Sequence, residues 1–394
     1  MKEKSLDPSW ALLQLQDCIL PYWSEQMVDQ FRGGFYGRIN GQNELEPEAD
    51  KGVILNTRLL WTFSASYRRL GEIKYLELAH RAYNYLARHF ADPVHRGVYW
   101  MLDCEGQPLQ TKKQVYAQAF TIYALSEYSK VRSESKEVLN WAIELFHLLE
   151  QHAFDVERNG YLEALDTSWG RLKDVRLSEK DLNAAKTMNT HLHVLEAYTN
   201  LYRVWADEQL GRQLSNLLKL MLCRFVDARD HYRLFFAEDW RLLSDQCSYG
   251  HDIEGSWLMT EAAEVLGDEG LMERARKVAI AMVDAALEGL DAAGGLANEG
   301  NAKGITDSSK DWWPQAEALV GLVNAWQITD DRNYLTQADV VMNFIERNLL
   351  DPKGEWYWGV TREGVPRTDE DKAGPWKCPY HNGRAMLELL DRLP

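Results

Sequence analysis

The sequence predicts an all-α fold in which six inner and six outer helices close into an (α/α)6 barrel, with short β-hairpins in the loops at one end. Three observations predict it. A turn-bounded, aromatic-rich strand pattern recurs six times, roughly every 60 to 70 residues, the self-similarity expected of a repeat architecture. Each pattern leads to a helix whose first turns carry polar or aromatic residues and whose remainder is apolar. Between these helices lie amphipathic ones with a single apolar face.

The six patterns are Gly33-Gly34-Phe35-Tyr36-Gly37, Gly97-Val98-Tyr99-Trp100, Gly160-Tyr161-Leu162, His231-Tyr232-Arg233-Leu234-Phe235-Phe236, Gly294-Gly295-Leu296 and Gly354-Glu355-Trp356-Tyr357-Trp358. Outer helices are read at Tyr75 to Leu86, Val138 to Leu149 and Leu271 to Leu287, where apolar residues keep a period near 3.6. Inner helices start with polar clusters: Asn56 and Arg58; Tyr116 and Gln118; Asn189, His191 and His193; His251, Asp252 and Glu254; Trp312, Trp313, Gln315 and Glu317; His381, Asn382 and Arg384. In an alternating ring all inner helices run the same way, so these clusters converge on one pocket. Buried polar groups are costly unless they pair with each other or with a ligand.

No Pro/Gly/Ser-rich linker or charge block cuts the 394 residues, so residues 1–394 are read as a single catalytic barrel domain. No apolar run approaches the ~18 residues of a membrane span. The start, Met1 to Asp7, has no apolar stretch behind its lysines, and a cytoplasmic location is expected. A net charge of −16 repels phosphate backbones and anionic lipids, so neither nucleic acid nor membrane is an expected partner. Five scattered cysteines without CxxC spacing predict reduced thiols and no zinc site. The 15 Trp and 18 Tyr supply rings on which the C–H face of a sugar stacks.

Residues three or four apart share a helical face, which puts Asn189, His193 and Glu196 or Asn200 on one stripe and turns His191 elsewhere. His193 is favoured over His191. His251, Glu254 and Trp257 fall on another face, offering a base, a carboxylate and a ring. The first-turn macrodipole accounts for Asp252 but disfavours a cationic His251. Asp311 is a candidate cap before Trp312-Trp313-Pro314, with one tryptophan facing the lumen and Glu317 on the side of Trp313. Arg58 lies in an apolar run and needs a partner, Glu254, Glu317 or a substrate oxygen.

Five segments carry a resemblance over essentially the whole chain: Lys51 to Arg58, Met188 to Ala197, Gly250 to Trp257, Trp312 to Glu317 and Trp376-Lys377-Cys378-Pro379-Tyr380-His381-Asn382. They resemble the motifs of cellobiose 2-epimerases, in the wider N-acylglucosamine 2-epimerase superfamily. The resemblance implies an (α/α)6 barrel, a small-molecule sugar substrate, and no metal or nicotinamide cofactor. It implies that His251 and His381 are the acid/base pair and His193 a third histidine linked to ring opening. Arg58, Tyr116, Asp181, Asn189 and Glu254 match sugar-contacting or histidine-orienting positions, and Trp313 and Trp376 stacking ones. From the clusters themselves Trp257, Trp312 and Glu317 join the expected substrate contacts.

The expected reaction is epimerisation at C2 of the reducing-end glucose of cellobiose or lactose, through ring opening and a cis-enediolate. His381 removes the C2 proton, His251 returns one on the other face, and Arg58 stabilises the anion. The alternatives are a mannose/glucose 2-epimerase or aldose–ketose isomerase, or a glycoside hydrolase using Glu254 and Glu317.

Overall fold

A computed structural model of the chain describes residues 5–132, 134, 136–179 and 181–394. Its helices in chain order are α1 Pro8–Leu13, a π turn Gln14–Ile19 and α2 Leu20–Glu25, which run on end to end; then α3 Val53–Leu70, α4 Ile73–Tyr85, α5 Val115–Val131, α6 Lys136–His152 and α7 Met188–Val204. There follow α8 Glu208–Leu220, α9 Tyr249–Leu266, α10 Glu269–Ala286, α11 Trp312–Thr329, α12 Arg332–Asn348 and α13 Tyr380–Arg392. Helices α3, α5, α7, α9, α11 and α13 pack each against the next, and α13 returns to α3. The others lie outside this ring. The inner helices are buried almost along their length; α3, for example, buries every residue from Val53 to Ser66. The outer helices bury one stripe, as in α8, where Leu210, Leu214, Leu217 and Leu218 face inward.

Side-chain caps set several helix starts. Thr187 accepts from the Thr190 N–H and Ser248 from the His251 N–H, while Asp207, Asp268 and Asp331 cap α8, α10 and α12. Asp311 corrects an expectation, because its carboxylate does not cap α11. It accepts instead from the Trp358 indole and from Arg367.

Short strands stitch each repeat to the next. Lys51–Gly52 pairs with Met101–Leu102, Lys113–Gln114 with Ala164–Leu165, Lys186–Thr187 with Phe235–Phe236, Cys247–Ser248 with Glu299–Asn301, and Lys310–Asp311 with Gly359–Val360. A bridge between Ile39 and Ala373 joins the last repeat to the first. The fourth residue of four inner helices faces away from the lumen and holds the preceding hairpin: Gln118, His191, Asp252 and Gln315 accept from the backbone N–H of Val98, Tyr161, Tyr232 and Leu296.

Five buried lysines lock the hairpins. Lys51, Lys113, Lys186, Lys310 and Lys372 donate to Asp29, Asp92, Asp155, Asp291 and Asp351 at 2.7–2.8 Å. The side chains of Lys51 and Asp29 have no exposure at all. Breaking such a pair strands one buried charge. Lys51→Met is therefore expected to cost about 3 kcal/mol in urea unfolding. A loss at the level of a surface pair, below about 1 kcal/mol, would show that the clamp does not hold the hairpin.

Candidate active site

At the N-terminal end of the inner helices lies a cavity of about 690 Å³. Arg58, Tyr116, Asn189, His193, His251, Glu254 and His381 line it, with Trp312, Trp313, Trp358 and Trp376 as aromatic walls. Its mouth is formed by residues 176–179, Asp181 and Leu182 on one side and by Asn298, Glu299 and Asp307 on the other. One helical position recurs at or just beneath the floor. Arg58, Phe120, His193, Glu254 and Glu317 are each the sixth residue of their helix, and Arg384 is the fifth of α13.

Arg384 is the hub beneath the floor. It is 1% exposed, and its guanidinium donates to Glu196, to Glu254 at 2.6 Å and to Glu317 at 2.7 Å. Tyr380 also donates to Glu196. Three carboxylates around one guanidinium leave excess negative charge. Burial, with Glu317 adding to it, pushes the Glu254 carboxyl up to about 7. Burial works the same way on Glu196, but Arg384 and His193 outweigh it and hold that carboxyl at about 2.

Each floor histidine has one ring nitrogen engaged. His381 Nδ1 lies 2.7 Å from Glu317 Oε1, so it donates to the carboxylate and leaves Nε2 with a lone pair. Burial, then Arg58 and Arg384, keep His381 well below its ordinary pKa. His251 Nδ1 meets the Ser248 hydroxyl at 2.9 Å. Burial, with His193 nearby, depresses it to about 3. His193 Nδ1 is 2.9 Å from Glu196 Oε2. The rings of His251 and His381 both pack against Trp313, with centroids 4.7 and 5.5 Å away.

Among the described residues Arg58 pairs with no carboxylate. It donates to the Tyr116 hydroxyl at 2.8 Å and to Cys378 Sγ at 3.7 Å, with Phe120 and Tyr380 rings 4.4 and 4.7 Å from its guanidinium carbon. Its Nε, Asn189 Oδ1 and Glu254 Oε2 are buried without a hydrogen-bond partner, so the pocket retains unused polar capacity.

His193 lines the cavity, whereas His191 is fully buried in the wall, donating from Nδ1 to Thr187 O and accepting at Nε2 from Tyr161. Asp181 reaches the mouth, where its carboxylate accepts from the Ser178 N–H and hydroxyl. Two expected substrate contacts are corrected. Trp257 is 1% exposed and lies under the floor, its indole donating to Glu317 and its face against Arg384. Glu317 has no exposure and does not line the cavity; it is occupied by His381, Arg384 and Trp257. Both Trp312 and Trp313 line the pocket, not one alone. Sequence reasoning named Arg384 without giving it a role, and it missed Glu163. This cavity-lining carboxyl accepts from Thr187 and Thr190 and is pushed up to about 7 by burial.

Glu254, Glu317 and His381 offer ligand atoms within 4.8 Å of one another. The cation they hold is Arg384, whose one nitrogen contacts both carboxylates.

The closed ring and its imidazole- and indole-lined pocket define an (α/α)6-barrel protein with a sugar-sized polar site. The profile of the family described as N-acylglucosamine 2-epimerase (GlcNAc 2-epimerase) matches residues 34–385. A cellobiose 2-epimerase from Bacteroides fragilis is 52% identical over 380 residues, covering 96% of this chain and 97% of that one. The structure of the cellobiose 2-epimerase from Bacillus thermoamylovorans superposes with a TM-score of 0.93 at 39% identity, covering 98% of this chain and 99% of that one. A D-mannose isomerase superposes with a TM-score of 0.87 at 20% identity, covering 98% of each chain, a likeness of fold alone. The chain belongs to the N-acylglucosamine 2-epimerase family, whose named members are carbohydrate-isomerising enzymes.

The depressed His251 pKa has a sign that can be tested. Between about 3 and the ordinary 6.5 the unfolded chain binds a proton that the folded chain does not, so stability rises with pH there. Relative to His251→Asn, the parent should lose about 1.4 kcal/mol per pH unit as the pH falls below 6.5, measured by urea unfolding at several pH values. A difference that stays constant with pH would mean that His251 is not held neutral.

Proposed function

We propose that this chain is a cellobiose 2-epimerase, converting the reducing-end glucose of cellobiose or lactose to mannose. The observation that carries the reading is the pair of imidazoles, His251 and His381, set against one indole at the floor of a closed-ended polar cavity. The family membership and the printed activity of the 52% identical relative support the choice of substrate.

In this reading Trp313 and Trp376 stack on the sugar, and His193, backed by Glu196, assists ring opening. His381 Nε2 takes the C2 proton of the open-chain aldose, and the C–H electrons pass to O1 as the cis-enediolate forms. Glu317 steadies the resulting imidazolium through Nδ1. Arg58, with the Tyr116 hydroxyl and Asn189 close by, neutralises the anion. The anion draws a proton onto His251, which delivers it to the opposite face of C2. His381 then releases its proton to water, so one proton leaves and one arrives. No step uses a metal or a nicotinamide.

Residues 1–394 act as one catalytic domain in this proposal, in the cytoplasm, on a free sugar and without a nucleic-acid or membrane partner. No described helix is long and apolar enough to cross a membrane. The hydrolase alternative fits less well. Its two carboxylates must flank a glycosidic bond at about 5 Å or more, whereas Glu254 and Glu317 share one Arg384 nitrogen beneath the floor.

Proton NMR of the protein with cellobiose in heavy water tests the reading. Deuterium should enter C2 and a mannose-ended disaccharide should accumulate. His251→Ala and His381→Ala should each lower turnover about 10²–10⁴-fold with the far-ultraviolet circular dichroism unchanged. Glucose release, label at C1 alone, or turnover on mannose but not cellobiose would each replace this assignment. A histidine variant with near-parent turnover removes that residue from the mechanism.

A further inference from the structure

The loop before α9 breaks the sixfold pattern. In the other repeats a lysine ahead of the inner helix occupies the hairpin aspartate. Here Cys247 stands where Lys51, Lys113, Lys186 and Lys310 stand, first in the two-residue strand before the helix. His231 stands directly before the bridged Tyr232, the place held by glycine before Phe35, Val98, Tyr161 and Leu296. The ammonium is gone, and two side chains that bind metals have arrived together.

We propose that His231, Cys247 and Glu288 form a binding site for a thiophilic divalent cation of the zinc class, with Asp252 orienting the histidine. His231 Nδ1 is 2.7 Å from Asp252 Oδ2, which leaves Nε2 as the ligand nitrogen. A carboxylate behind a ligating imidazole is the usual second layer of a zinc site. His231 Nε2 lies 3.5 Å from Glu288 Oε2. That is long for an N–H···O bond. It is close to the about 3.4 Å between two ligands that each sit about 2.05 Å from a tetrahedral zinc. A ring nitrogen of His231 and the Cys247 sulfur lie within 4.8 Å of each other. His231 and Cys247 are each 2% exposed, whereas the Glu288 side chain is 66% exposed. The ion would therefore enter from solvent along Glu288 and close over two buried ligands.

Binding would displace the protons of the Cys247 thiol and of His231 Nε2. It would also fix the strand whose next residue, Ser248, contacts His251 Nδ1. Sequence spacing concealed the site, because its ligands come from a hairpin, a strand and the turn after α10.

The test is a cobalt(II) titration of the reduced protein, read by the near-ultraviolet thiolate-to-cobalt charge-transfer band. The parent should bind one equivalent with that band, and zinc should abolish it by displacement. Cys247→Ser should lack the band, and Glu288→Gln, a change at an exposed residue, should weaken binding about 10-fold or more. Zinc should raise the melting temperature of the parent but not of Cys247→Ser. A parent without the band in excess cobalt, or a Cys247→Ser variant that keeps it, overturns the proposal, and His231 is then only a cation in place of the missing lysine.

Discussion

The guanidinium of Arg384 is the constraint around which the pocket is arranged. Glutamates from α7, α9 and α11 meet it beneath the floor, and it comes from α13, so four of the six inner helices are tied at one point. Ions removed from water carry a desolvation cost of several kcal/mol each, which only close pairing offsets. The cluster therefore fixes where Glu196, Glu254 and Glu317 point. It also settles what those carboxylates can do next, since Glu196 and Glu317 turn their remaining oxygens to His193 and Trp257. With all three acids committed to Arg384, the second buried guanidinium, Arg58, is left among aromatic rings with a hydroxyl and a thiol. A buried cation without a carboxylate is well placed to meet an anion that exists only during reaction.

The repeat divides labour by helical position. Fourth residues hold the hairpins from outside the lumen, and sixth residues lie at or just beneath the floor. Apart from Phe120 both sets are polar, and both belong to the first turns of the same helices. This is why a polar helix start signals either a structural clasp or a reactive group. Asp252 and His251 are neighbours in sequence, yet one bonds the Tyr232 backbone and the other faces the cavity.

The repeat, the alternation of inner and outer helices and the convergence of their starts were legible because each leaves a local periodic trace. The three-or-four spacing rule also sorts His193 from His191, since the two differ by two residues and so by face. What escaped was pairing across helices. Nothing near Arg58 in sequence says that its guanidinium meets Tyr116, 58 positions on, while Arg384 collects the glutamates. Trp257 shares a face with His251 and Glu254 but sits one turn deeper, below the cavity. Asp311 has the residue type of a cap, but Trp358 and Arg367 compete for its oxygens.

The central claim is that Arg58 remains uncommitted so that it can hold the enediolate. It is tested most directly by comparing turnover and binding in Arg58→Met. Turnover of cellobiose should fall about 10²–10³-fold, the loss expected when a donor to a developing oxyanion is removed. Affinity for the reduced disaccharide, an alditol that cannot form an enediolate, should stay close to that of the parent. Parent-like turnover, or a loss of alditol affinity that matches the loss of turnover, would contradict the account.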